Sequence, residues 1–267
     1  MTFPKHLLPL LFLLFSLENI NGQNNIHPNE YFQTAENFRK NMQPDSAIVY
    51  YKKASVEFQT QGNTEKFIDA YNQIGILLTR QDKYEEAKAY LDTALSTGLS
   101  SLDSNNLSIA TTYISLGVVF NAEGNYEQSL ANHYKSLAIR LLKLGEYDAQ
   151  VATSYGNIGN VYRNNKEIDK SIEAHLKAME VRKKLFGETS AEISESYVGL
   201  GNAYKEKKEY TVSLEYFDKA LRNKIIQRGE GHRDLAKYYK YLSDVYYLME
   251  DKAQGDLYKS KYEAVLK

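Results

Sequence analysis

Tyr155-Gly-Asn-Ile-Gly-Asn-Val-Tyr162 is the stretch on which the fold turns, because it returns at a fixed distance along the chain. It stands again as Tyr197-Val-Gly-Leu-Gly-Asn-Ala-Tyr204, 42 residues later, and as Tyr113-Ile-Ser-Leu-Gly-Val-Val-Phe120, 42 residues earlier. Small residues recur at Gly75, Gly117, Gly159, Gly201 and Ser243, all 42 apart. Four residues before each is Tyr71, Tyr113, Tyr155, Tyr197 or Tyr239, one before is Ile or Leu, and three after is Leu78, Phe120, Tyr162, Tyr204 or Tyr246. Offsets of −4, −1, 0 and +3 share one helical face. Twelve residues beyond each small residue comes another, Ala87, Ser129, Ser171, Ser213 and Gly255, and seven further on Ala94, Ser136, Ala178 and Ala220. Each unit therefore reads as two antiparallel helices, brought close by the small residues and filled in by the aromatics.

An additional unit with Tyr31, Ala35, Ala47 and Ala54 lies 40 residues ahead of the series. The turns between paired helices are expected at Ala122-Glu-Gly-Asn125 and Asn164-Asn-Lys-Glu167, polar stretches suited to a tight connection. In the first unit the turn is Met42-Gln-Pro-Asp45, where the proline is expected to stop a helix and Asp45 to cap the next.

These residues resemble the tetratricopeptide repeat, whose 34-residue pattern of a large residue, Leu-Gly, Tyr and two alanines is similar to Tyr155, Ile158-Gly159, Tyr162, Ser171 and Ala178. Tyrosine stands where that family often has tryptophan. The extra length carries Arg140 with Gly145-Glu146, Arg182 with Gly187-Glu188 and Lys224 with Gly229-Glu230, which resembles the long repeats of the kinesin light chain type. The resemblance implies an all-α fold, a right-handed superhelical solenoid of antiparallel helix pairs, with the first helix of each pair lining the concave wall. Six units are expected, 28–67, 68–109, 110–151, 152–193, 194–235 and 236–267.

Ahead of them, residues 1–22 hold Lys5 and His6, an apolar run from Leu7 to Phe15 and a more polar stretch to Gly22, as a secretory signal peptide does. The run is about half the ~20 residues that a spanning helix needs. The expectation is an exported protein, periplasmic or secreted and of bacterial type, not inserted in a membrane after signal cleavage, with 23–27 as a short linker. With no cysteine, the chain has no disulfide frame and no thiolate site. Its 33 Lys+Arg balance 34 Asp+Glu, which argues against a nucleic-acid partner, since such proteins carry a basic surplus to displace counterions.

Catalytic chemistry finds no motif. His133 and His175 share one repeat position with Leu91 and Phe217, which marks them as packing residues, and carboxylates alternate with lysines as on solvated faces. No cofactor and no metal is expected, and the chain is expected not to be an enzyme.

Recognition remains. Relative to each small residue, positions −6, −3, +1, +4 and +5 face away from the packing set. Asn121, Asn160, Asn164 and Asn202 at these positions offer donor and acceptor for the backbone of an extended peptide, and Arg163 and Lys205 offer charge for a carboxylate. Asn157 resembles an asparagine with which kinesin light chain repeats hold cargo. The carboxylate clamp of tetratricopeptide repeats, lysine at −3 with asparagine at +1, is met by no unit: the −3 residues are Asn72, Ile114, Gly156, Val198 and Lys240, and Asp244 follows the lysine. The expected function is a scaffold that binds a protein or peptide in its groove. The alternative is a sensory or regulatory lobe of a larger signalling protein, such as a histidine kinase or a CHAT-type protease. Departures at Ser243, Lys252, Gly255 and Lys259 suit a capping last repeat and favour the first reading.

Overall fold

The computed structural model describes residues 28–267; the expected signal peptide and linker lie outside the described residues. Twelve α-helices follow one another among the described residues, with no strand. They are α1 (Pro28–Lys40), α2 (Pro44–Thr60), α3 (Thr64–Thr79), α4 (Tyr84–Ser101), α5 (Leu107–Ala122), α6 (Tyr126–Leu144), α7 (Ala149–Asn164), α8 (Ile168–Phe186), α9 (Ala191–Glu206), α10 (Tyr210–Arg228), α11 (Ala236–Leu248) and α12 (Lys252–Ala264). A single 3-10 turn, Arg233–Leu235, leads into α11. Each helix packs on the next, so six antiparallel pairs stack in chain order into a solenoid. Residues 68, 110, 152 and 194, where units were expected to begin, fall within the first turn or two of α3, α5, α7 and α9.

Short polar residues open many of the helices. The side chains of Asn63, Asn106, Asn125, Asp148, Ser190 and Asp251 accept backbone N–H groups of Lys66, Ser108, Gln128, Gln150, Ile193 and Gln254. The extended ends of α6, α8 and α10 stop at Gly145, Gly187 and Gly229, which adopt φ of 80°, 82° and 81°. The turns within pairs also pass through the left-handed region, at Asp82, Gly124, Lys166, Lys208 and Glu250, again 42 apart. At the first turn the structure corrects the sequence expectation. Pro44 does not end α1; it occupies the first turn of α2, where its missing N–H costs nothing, and the cap position is Gln43. Asp45 lies one residue inside the helix and instead accepts from Gln81 Nε2 at 2.8 Å.

The core is built by side chains that fill the space left by the small residues. A Cβ on Gly75 would stand 2.6 Å from Leu91, one on Gly117 2.6 Å from His133, one on Gly159 2.8 Å from His175 and one on Gly201 2.6 Å from Phe217. All four partners are buried on the second helix of the pair. Ser129 and Ser213 lock the same contact by donating to the carbonyls of Gly117 and Gly201, each at 2.7 Å. In the last pair the arrangement is reversed. Tyr247 on α11 lies against Gly255 on α12, Ser243 donates to the Gly255 carbonyl at 2.8 Å, and Lys259, where the other pairs carry their filling side chain, is exposed.

One repeat position sets how closely neighbouring pairs approach. It holds Gly98, Arg140, Arg182 and Lys224. At Gly98 there is no side chain, Ile109 and Ile68 move into the space, and α3 packs directly on α5. Arg140 and Arg182 instead drive buried guanidinium groups toward the first helix of the next pair, and α5 and α7, like α7 and α9, scarcely touch. Arg140 Nη1 donates to Gln150 O at 2.9 Å and Ser154 Oγ at 3.0 Å; Arg182 Nη1 donates to Ser196 Oγ at 2.7 Å. Burial pulls both guanidinium groups below the ordinary arginine value, and Asp148 and Glu195 work against that shift.

Candidate functional site

Because arginine holds α7 and α9 apart, a cavity of about 390 Å³ opens on the face formed by α7, α9 and α11. α7 contributes Thr153, Gly156, Asn157 and Asn160; α9 contributes Glu195, Val198, Gly199 and Asn202; Lys237 and Tyr238 close it from α11. His175 and Arg182 of α8 form its floor, and Lys224 of α10 reaches its edge.

Three of the asparagines singled out from the sequence meet here. Asn160 is exposed, Asn157 is half-buried between Gly156 and Ile158, and Asn202 Nδ2 donates to the Val198 carbonyl at 3.0 Å. The other four candidates lie away from the cavity. Asn164 Nδ2 donates to Asn121 Oδ1 at 3.0 Å, joining α7 to α5 across the pairs. Arg163 is half-buried, with a buried Nε that has no partner among the described residues, and its charge bears on His175. Lys205 is half-buried further along α9.

The charge of the cavity is one that the sequence did not single out. The Arg182 side chain is only 7% exposed, yet its Nη2 donates to Glu195 Oε2 at 2.8 Å, and that carboxylate is 74% exposed. Lys237 rests its ammonium 4.9 Å from the Tyr238 ring centroid, and burial pushes the Tyr238 hydroxyl up to about 12. Lys224 stands 3.6 Å from Asp234. Under them, burial drives the His175 imidazole down to about 4, helped by the charges of Arg163 and Arg182. The imidazole is therefore neutral at ordinary pH, and neither ring nitrogen has a partner among the described residues. The signal for Arg182 was present in the sequence as the Arg140, Arg182, Lys224 series, which reads as a mark of repeat length and gives no hint that one member borders a cavity.

Among the described residues no group of three or more His, Asp or Glu side chains is placed to hold a metal ion, and no helix is long and apolar enough to cross a membrane.

Stacked helix pairs around a polar groove define a helical-repeat scaffold of the kind that serves protein–protein interaction. The tetratricopeptide repeat family matches residues 67–149 and 150–226, more than half of the chain, and the chain belongs to that family. Among solved structures it is similar to BtubC from P. vanneervenii, at 15% identity and a TM-score of 0.67, with 89% of each chain covered. It is also similar to the kinesin light chain of Podosopora anserina with nearly identical repeats, at 14% identity and a TM-score of 0.61, covering 76% of this chain and 98% of that one. A third relative in fold is the signal transduction ATPase of Pyrococcus horikoshii with a tetratricopeptide repeat sensor, at 17% identity and a TM-score of 0.61, covering 88% of this chain and 41% of that one. No curated protein matches the chain in sequence.

Proposed function

We propose that the chain is an exported, non-catalytic scaffold that holds a segment of a protein or a peptide in the groove of α7, α9 and α11. The observation that supports this reading is the convergence of Asn157, Asn160 and Asn202 on one open cavity, where their amides can pair with a main chain that satisfies little of its own hydrogen bonding. The test is recovery of partners from the exporting cell by the wild type and by the Asn160→Ala/Asn202→Ala pair. Loss of a discrete partner from the double variant supports the groove; equal recovery by both removes it. Export is tested by fractionation of cells that produce the chain with and without residues 1–22.

A second reading, a regulatory lobe of a larger signalling protein, draws on the similarity to a signal transduction ATPase with a tetratricopeptide repeat sensor, 41% of whose chain the match covers. Reading the genomic DNA beyond Lys267 for a continuing frame separates the two.

A further inference from the structure

We infer that the floor of this cavity is a subsite for a carboxylate side chain of the bound segment, with Arg182 as the buried cation and Glu195 as an internal carboxylate that the ligand displaces. The inference rests on the groove reading above and adds the chemistry of one contact.

Gly156 makes the subsite. It occupies the −3 position on α7, where the neighbouring units carry Ile114 and Val198. A Cβ on Gly156 would meet nothing nearer than Arg182 Nη1 at 4.0 Å, so the missing side chain leaves an opening over the guanidinium. Arg182 is otherwise enclosed: Ser196 takes one nitrogen and Glu195 another. Glu195 reaches in from a mostly exposed position, which makes it the partner most easily exchanged. A carboxylate from a ligand restores the same charge-assisted bond on a cation already desolvated, where such bonds are strongest. Lys237 at the rim leaves a positive excess once Glu195 swings out. The route differs from a clamp on the first helix, since the cation comes from the second helix and passes between two pairs.

The probes are a tetraglutamate peptide capped by acetyl and amide groups, its tetraglutamine counterpart and free glutarate. Each is titrated into the folded chain at low salt while the Arg182 Nε–H resonance is followed by NMR. The inference expects the glutamate peptide to bind and move that resonance, and the glutamine peptide to bind at least about tenfold more weakly. Glu195→Ala is expected to tighten the glutamate peptide about fivefold, and Gly156→Ile, which copies Ile114, to abolish its binding. Equal binding of the two peptides, or indifference to both substitutions, overturns the subsite. Glutarate binding as tightly as the glutamate peptide overturns the assignment to a partner's side chain in favour of a small free acid. Capture of partners lost with Asn160→Ala/Asn202→Ala alongside a null peptide titration means that the groove stands and the subsite fails; the opposite pattern means that the anion site stands alone.

Discussion

The imidazole of His175 occupies the place that a side chain on Gly159 would need: a Cβ there would lie 2.8 Å from ring atoms Cδ2 and Nε2. The ring has no retreat, because Gly199 of α9 closes on its other edge. Gly159→Ala is therefore expected to destabilise the fold by about 1–3 kcal/mol through overpacking, in spite of the helix propensity that alanine adds. Gly156→Ala, three residues away with open space above it, is expected to stabilise by about 0.5–1 kcal/mol. Urea denaturation of the two variants checks the contrast; a loss of the same size in both would refute it.

Acid should loosen the junctions around the buried histidines. Burial pushes His133 and His175 down to about 4, with Arg140 adding to the shift of the first and Arg163 and Arg182 to that of the second. The unfolded chain takes up these protons near the usual 6.5, and the folded chain only near 4. Their contribution is thus fully present above pH 6.5 and is lost as pH falls from there to about 4, by on the order of a few kcal/mol for each histidine. A His133→Leu/His175→Leu variant, carrying the residue found at Leu91, is expected to show a flatter fall of unfolding free energy over that range. Parallel curves for the two proteins would discard the explanation.

The buried serines where paired helices meet should not respond alike. Ser213 donates to the Gly201 carbonyl and Ser243 to that of Gly255, so removal of either hydroxyl is expected to cost about 1 kcal/mol. Ser171, equally buried, has a hydroxyl with no partner among the described residues. Ser171→Ala is expected to be neutral or stabilising. Thermal melts of the three alanine variants decide it, and a loss at Ser171 as large as that at Ser213 is the contrary result.

Two turn lysines stand in a backbone region that suits glycine. Lys166 and Lys208 adopt φ of 64° and 65°, where the chain has Gly124 in the equivalent turn at 79°. Relief of the left-handed strain, less the entropy that glycine adds to the unfolded chain, is expected to make Lys166→Gly stabilising by about 0.5 kcal/mol. Differential scanning calorimetry of the single and the Lys166→Gly/Lys208→Gly variants reads the shift; a lowered melting temperature contradicts it.

The repeat period made the helix pairs, their order and their packing residues legible, because each depends on a face that returns every 42 residues. The polar stretches at Ala122–Asn125 and Asn164–Glu167 also fall where the turns do. Pro44 departs from the expectation because a proline serves equally to end a helix or to begin one, and only the backbone around it decides. The asparagines at groove positions divided for a related reason. An amide that faces out of its own helix can meet solvent or another amide, and Asn121 and Asn164 find each other because α5 and α7 bring their ends together. The role of Arg182 needed two facts that lie far apart in the sequence, a glycine on α7 and a long second helix in the same pair.

Gly98 gives the solenoid its direct seam between first helices, from α3 to α5, whereas the next two seams are bridged by the guanidinium groups of Arg140 and Arg182. The units are therefore not interchangeable modules: an arginine-bearing second helix moved to the place of α4 would drive its side chain against Ile109 and Ile68, which already fill the space at Gly98.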